Sequence, residues 1–205
     1  MKVLMVNSSS HKEGCTYTAL AEIGRALKEE GISSEIFFLG NEAMPDCVAC
    51  RRCSDLGRCV FDDDVNKFAR MAREADGFVF GSPVYYAHPT GRLITFMDRL
   101  FYSSGDALEF KPAAAVFSAR RNGQVCSMDV INKYFSINQM PIVSSTYWNH
   151  VFGAAASEVA EYIEGLNTMY NLGKNMAWML KLIELGKRNG LDHPENTHLF
   201  TNFTR

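Results

Sequence analysis

The chain has 205 residues, 47% of them hydrophobic and 21% charged, with a formal net charge of −2. That length supports one domain with a core of its own, and the balanced charge with no basic stripe argues against nucleic acid or an anionic membrane surface as partner. The apolar run from Met1 to Asn7 is too short for a signal peptide and no segment approaches the length of a membrane span, so a cytoplasmic protein is expected.

The first element is an apolar run of strand length, Lys2 to Asn7, which feeds a loop of hydroxyls and then a helix opening at Thr16 with Leu20, Ile23 and Leu27 at helical spacing. At such a helix N-terminus the backbone N–H groups are unpaired and the dipole is positive, so a phosphate placed there finds donors already aimed at it. The loop lacks both the G-x-G-x-x-G dinucleotide fingerprint and the G-x-x-x-x-G-K-[ST] phosphate loop. Its Ser8, Ser9, Ser10, His11, Lys12, Gly14, Cys15 and Thr16 suit a single terminal phosphomonoester; an ordinary serine-rich helix cap uses the same residue types.

The helix ends near Gly31, and residues 33–39 read as a second strand, apolar mainly in its C-terminal half. A cysteine-rich insertion at 45–62 follows. Asp62, Asp63 and Asp64 then supply an N-cap signal for a helix with Val65, Phe68, Ala69 and Ala72 on one face. Gly77 to Gly81 is a short apolar run of the kind buried on both faces of a parallel sheet, and Ala113 to Ser118 is another. Helices are predicted at about 90–102 and 128–139, and a last short strand at 141–144. From Ser157 to about Lys187 apolar residues keep a three-or-four spacing, which predicts one long helix, or two broken near Gly173. Residues 1–190 thus form a single domain, and 191–205 a polar tail.

Strands and helices in strict alternation imply a doubly wound α/β sandwich of three layers, with a five-stranded parallel sheet of order 2-1-3-4-5. Ligands in such sheets lie outside the C-terminal strand ends, so the loops after the first, third and fourth strands define the site. After the third strand, Pro83 is expected to turn the chain away from the sheet, with Val84 beside it. Tyr85 and Tyr86 offer flat faces where a ring would lie. After the fourth strand come Ser118, Arg120, Arg121 and Gly123.

Two of these loops resemble one family, the flavodoxin-like NAD(P)H-dependent FMN reductases. Asn7 to Thr16, N-S-S-S-H-K-E-G-C-T, follows the family's N-G-S-P-R-K-N-G-N-T with His11 for arginine and Cys15 for asparagine. Gly81 to Arg99, G-S-P-V-Y-Y-A-H-P-T-G-R-L-I-T-F-M-D-R, is similar to its G-S-P-V-Y-F/W-x-x-x-S-G-x-L-K-x-F-x-D-R. The resemblance covers about the first 150 residues and implies a flavodoxin-like fold and an FMN site on the residues named above, with NAD(P)H as electron donor. Where that family carries a glycine-rich turn after the fourth strand, this chain has only Gly123. Arg120 and Arg121 are then a surface pair, partners for charge on the ring's N1–O2 edge, or a site for a nicotinamide phosphate.

Four of the six cysteines, Cys47, Cys50, Cys53 and Cys59, form a compact C-x2-C-x2-C-x5-C. Three at a spacing of three resemble a ferredoxin iron–sulfur run, and Arg51, Arg52 and Arg58 would offset the charge of a thiolate-ligated cluster. The arrangement is similar to the iron–sulfur flavoproteins, which carry a [4Fe-4S] cluster on such a motif near FMN; zinc, an exchanging dithiol and free thiols are the alternatives. Cys15 and Cys126 stand alone, and His150, His193 and His198 show no metal or triad spacing. Three readings follow. One is an FMN-dependent oxidoreductase passing electrons from NAD(P)H to a quinone, flavin, azo or metal acceptor. The second is a relay between ferredoxin-like partners, and the third a non-catalytic FMN sensor. The flavin does the chemistry in each, so no catalytic acid or base is expected. Trp148, Trp178 and Met179 exceed what one sheet face needs, which predicts a homodimer or homotetramer.

Overall fold

The computed structural model describes residues 1–197, 199, 201 and 203; His198 and the tail residues 200, 202, 204 and 205 lie outside the described residues. β1 (Lys2–Asn7) pairs in parallel with β2 (Ser33–Phe38) on one side and with β3 (Gly77–Tyr85) on the other. β4 (His88–Pro89) folds back antiparallel on the end of β3. β5 (Ala113–Ala119) and β6 (His150–Phe152) extend the parallel sheet, in the order β2-β1-β3-β5-β6. Counting only its parallel strands, this is the expected 2-1-3-4-5.

Alternation along each buried strand divides the core in two. Leu4, Val6, Phe78, Phe80 and Phe117 face α3 (Asp64–Arg73), α4 (Gly91–Ser104) and α5 (Gln124–Ile137). Val3, Met5, Val79 and Val116 face α1 (Cys15–Glu29) and α7 (Ile163–Arg188). The first face is aromatic: the Phe68 ring lies 5.4 Å from Phe37 and 5.3 Å from Phe96, both edge-on. Truncating a ring so placed costs roughly 3–5 kcal/mol.

Four expectations need correction. Residues 141–144 make only an isolated bridge between Ile142 and Ala113; the edge strand is β6, paired with the C-terminal half of β5. Residues 144–149, with Tyr147 and Trp148 exposed, separate the two pieces, and His150, polar in sequence, is buried. α5 begins at Gln124, four residues early, because Gly123 at φ 99 supplies its left-handed N-cap. The C-terminal helix is interrupted at Tyr162, between α6 (Ala156–Glu161) and α7, and Gly173 lies inside α7. A Cβ on Gly173 would stand 2.7 Å from that of Ala26 and 2.8 Å from the carbonyl oxygen of Ile23. The glycine therefore marks a close crossing with α1. Finally, Pro83, Val84 and Tyr85 belong to β3, with Pro83 in register with Ser118. β1 ends opposite Gly81, so on that side no strand needs the N–H that proline lacks.

Candidate functional site

Three loops meet at the C-terminal ends of β1, β3 and β5. Asn7, fully buried, organises the first: its Oδ1 accepts from the Ser9 N–H at 3.1 Å and its Nδ2 donates to the Lys12 carbonyl at 3.0 Å. Ser9 Oγ in turn accepts from the His11 N–H at 3.1 Å. These short-range bonds turn the chain tightly, as Asx and Ser turns do. The turn delivers Gly14 as the N-cap of α1, with no side chain to close the cap and no acidic residue in the first turn. An uncapped N-terminus above a loop of hydroxyls is what a phosphomonoester requires.

The loop is tied to its neighbours by hydroxyls. Ser8 Oγ donates to the Gly81 carbonyl at 3.0 Å and accepts from Thr90 Oγ1 at 3.0 Å, while Ser82 Oγ accepts from the Thr90 N–H at 3.0 Å. Thr90 also caps α4, accepting from the Leu93 N–H. Thr16 Oγ1 and Ser118 Oγ are 2.9 Å apart, joining the β1 and β5 loops. Ser10 Oγ and the Tyr85 hydroxyl are 2.6 Å apart, joining the phosphate loop to the end of β3. Ser8, Ser9 and Thr16 are buried, whereas Ser10, His11, Arg120 and Arg121 are exposed on the rim. Cys15 donates weakly to the Gly153 carbonyl, and burial raises its thiol pKa, so it is no reactive thiolate.

Tyr85 and Tyr86 are 47% and 109% exposed, and Tyr86 holds φ 60. A bulky residue in the left-handed region with its ring in solvent is an unfavourable combination that packing does not explain. Behind it, a Cβ on Gly123 would come within 2.7 Å of Val84 Cγ1, so glycine keeps the β5 loop against the end of β3. Buried beside it, Gln124 leaves its Oε1 without a partner among the described residues. The open helix end, free aromatic faces and orphan acceptor fit a phosphorylated planar ring.

The cysteine segment forms a second site. Cys47, Cys50, Cys53 and Cys59 line one cavity of about 750 Å³, with Asp98, Arg99 and Tyr102 on its wall. All four are free thiols, Cys47 and Cys50 exposed and Cys59 buried. Their side chains are not converged: among the described residues no group of three metal-ligating side chains stands in position for an ion. Ala49 and Arg51 adopt φ 51 and 57 on either side of Cys50. Left-handed residues of this kind aim backbone N–H groups into a concavity, as at anion and iron–sulfur sites. The donor set and this backbone fit an iron–sulfur group. α4 connects the sites, since Thr90 at its cap touches the phosphate loop and Arg99, roughly 13 Å further along its axis, contacts Cys59.

Residues 1–155 match the model of the NADPH-dependent FMN reductase family. The chain belongs to that family. It is 33% identical over 192 residues to an iron–sulfur flavoprotein of Methanocaldococcus jannaschii, covering 90% of this chain and 100% of the relative. To an iron–sulfur flavoprotein of Methanosarcina thermophila it is 30% identical over 192 residues, covering 90% of this chain and 97% of that one. An NAD(P)H:quinone oxidoreductase from Methanothermobacter marburgensis superposes with a TM-score of 0.64 at 15% identity, covering 86% and 96% of the two chains, a likeness of fold. Membership in the family brings flavin oxidoreductase chemistry with FMN as the flavin, and among the described residues no helix is long and apolar enough to cross a membrane.

Reading the sequence missed Asn7, Ser82, Thr90, Gln124 and Arg99. Asn7 opens the matched Asn7 to Thr16 stretch, and Ser82, Thr90 and Arg99 lie inside the matched Gly81 to Arg99 stretch, so all four were within reach. Gln124 carries no signal beyond being polar at the start of a helix, and only its burial sets it apart.

Proposed function

We propose that the protein is a cytoplasmic oxidoreductase that takes electrons from NAD(P)H and passes them to a quinone, flavin or azo acceptor, with a [4Fe-4S] cluster on Cys47, Cys50, Cys53 and Cys59. The observation that carries the flavin part is the hydrogen-bonded convergence of Ser10 with Tyr85 and Thr16 with Ser118 around the uncapped start of α1. FMN, when bound, supplies hydride and single-electron chemistry that no side chain offers. The chain's own residues bind and orient. Ser9, Ser10 and the first N–H groups of α1 hold the terminal phosphate. Tyr85 and Tyr86 present ring faces to the isoalloxazine, and Gly123 allows backbone to approach it. Arg120 and Arg121 are exposed in the loop after β5, which supports a role as partners for a nicotinamide phosphate or for negative charge on the ring's N1–O2 edge.

A relay between ferredoxin-like proteins is the second reading, favoured by the exposure of Cys47 and Cys50 at the mouth of their cavity. Anaerobic protein separates the two. Extraction should yield FMN and no FAD, and NADPH should reduce the flavin rapidly with turnover on quinone. Reduction only by a ferredoxin-type donor selects the relay, and recovery of FAD or of no flavin after reconstitution removes both. Cys→Ser changes at positions 47, 50, 53 and 59 should each abolish iron binding and leave FMN bound, while Cys126→Ser keeps both. Reconstituted wild-type protein without iron removes the cluster. We further propose a homodimer or homotetramer, supported by the exposed stripe of Trp178, Leu182 and Leu185 on α7 with Tyr147 and Trp148 outside it.

A further inference from the structure

Arg99 is 1% exposed on α4, the largest fully buried side chain, and all five of its N–H groups have an acceptor. Nη1 donates to Asp63 Oδ2 at 2.7 Å and to the Pro45 carbonyl at 3.1 Å. Nη2 donates to Asp63 Oδ1 at 2.9 Å and to the Phe61 carbonyl at 3.3 Å. The remaining donor, Nε–H, points at Cys59 Sγ, 3.2 Å away. One guanidinium therefore clasps both ends of the cysteine segment, Pro45 before it and Phe61 and Asp63 after it, and reserves its last N–H for a cysteine sulfur. Asn66 fixes the same cysteine through its backbone: Oδ1 accepts from the Cys59 N–H and Nδ2 donates to the Cys59 carbonyl, both at 3.0 Å. Of the four thiols, Cys59 is the buried one, and the other three are exposed or half-buried.

A hydrogen bond donated to a ligating sulfur stabilises the state with more negative charge on that sulfur, which is the reduced state, and so raises the potential of the group it ligates. Because Asp63 balances the guanidinium charge, the effect at Cys59 is set by the N–H dipole together with whatever charge Asp63 leaves uncompensated. We propose that Arg99 is a positioning residue of the cysteine site, whose Nε–H fixes the Cys59 sulfur and tunes the reduction potential of the iron–sulfur group held there. The proposal rests on the cluster reading above and adds to it a residue outside the ligand set, with a sign.

The test uses anaerobic, full-length, iron-reconstituted protein, with iron and sulfide counted per chain and the midpoint potential read from the iron–sulfur spectroscopic signal. Arg99→Lys keeps a positive charge but loses the fork and the Nε–H; it is expected to lower the potential by the equivalent of about tenfold in the reduced-to-oxidised ratio, about 59 mV for one electron. Asp63→Asn keeps an oxygen for the Val65 N–H at the start of α3 but leaves the arginine charge uncompensated beside sulfur, and is expected to raise it. Asn66→Ala loosens the Cys59 backbone without touching the sulfur and should leave the potential in place while iron occupancy falls. A merely structural clasp would change occupancy in all three variants and move no potential, an outcome that overturns the proposal. Where Arg99→Lys fails to fold, Asp63→Asn decides alone, and an unmoved or lowered potential overturns it. Wild-type protein that takes up no iron overturns the cluster reading itself, a different failure from an unmoved potential.

Discussion

Tyr86 holds a left-handed backbone, φ 60, with its ring wholly in solvent. The conformation costs on the order of 1 kcal/mol for a residue with a Cβ, a cost glycine does not bear. Tyr86→Gly should accordingly raise the Tm of flavin-free protein by a few degrees. The same change removes an aromatic face from the proposed FMN site, worth on the order of 1 kcal/mol, so FMN should bind up to about tenfold more weakly. Calorimetry of the apoprotein and a flavin fluorescence titration read the two effects, and a variant with unchanged FMN affinity shows that the ring does not touch the flavin. His150 gives a pH signature. It is buried against Tyr147 and Phe152, its Nδ1 lacks a partner among the described residues, and burial holds its pKa below the usual 6.5, with Glu164 opposing. The unfolded chain thus takes up a proton before the folded one does. Stability is unaffected above pH 6.5 and is lost as pH falls from there towards the depressed folded value. Tm followed from pH 7.5 to 5 should show this decline, and His150→Leu should flatten it; an identical slope in the variant assigns the decline to other groups.

At the scale of elements, the crossing of α1 and α7 is set by Gly173. Alanine there gains about 1 kcal/mol of helix propensity but drives its methyl into the Ile23 carbonyl and the Ala26 side chain, and overpacking of that kind costs about 1–3 kcal/mol. Gly173→Ala should lower Tm. Gly186→Ala, further along the same helix with no atom nearer than 3.5 Å to the new methyl, should leave Tm unchanged or raise it. A higher Tm for Gly173→Ala would mean that the two helices do not approach this closely. The crossing is also tied by charge: Glu30 takes both Lys174 and Lys181, whose hydrogen bonds hold its carboxyl down to about 2. Glu30 and Lys174 are half-buried and Lys181 is exposed, so water and salt still screen much of what the cluster contributes.

At the scale of the whole molecule, Trp178, Leu182 and Leu185 form an apolar stripe at helical spacing on the outer side of α7. Both core faces of the sheet are already filled without it. Sedimentation at micromolar concentration should show an oligomer, and Trp178→Glu should shift it towards monomer at unchanged far-ultraviolet dichroism. A monomeric wild type removes the proposed assembly, leaving the flavin and cysteine sites as described, since every residue placed in them belongs to one chain.

Much of this architecture is local in origin and so was legible from the residues alone. The glycine-bounded run at Gly77 to Gly81 can be little other than a buried parallel strand, and the β1 loop is closed by hydrogen bonds that Asn7 and Ser9 make within five residues of themselves. The four cysteines, within thirteen residues of one another, line one cavity. Contacts between distant segments decided the rest. β6 falls at His150 and not at Ile142 because of where the far half of β5 accepts a partner. Gly173 looks like a helix breaker until α1 is laid beside it. Arg99, read in sequence as the end of a motif, acquires its function from Asp63, Pro45 and Cys59, which lie 36 to 54 positions away and reach it only when α4 packs over the cysteine segment. Periodicity and short-range hydrogen bonding are written along the chain, whereas the approach of two faces is settled only when both are folded.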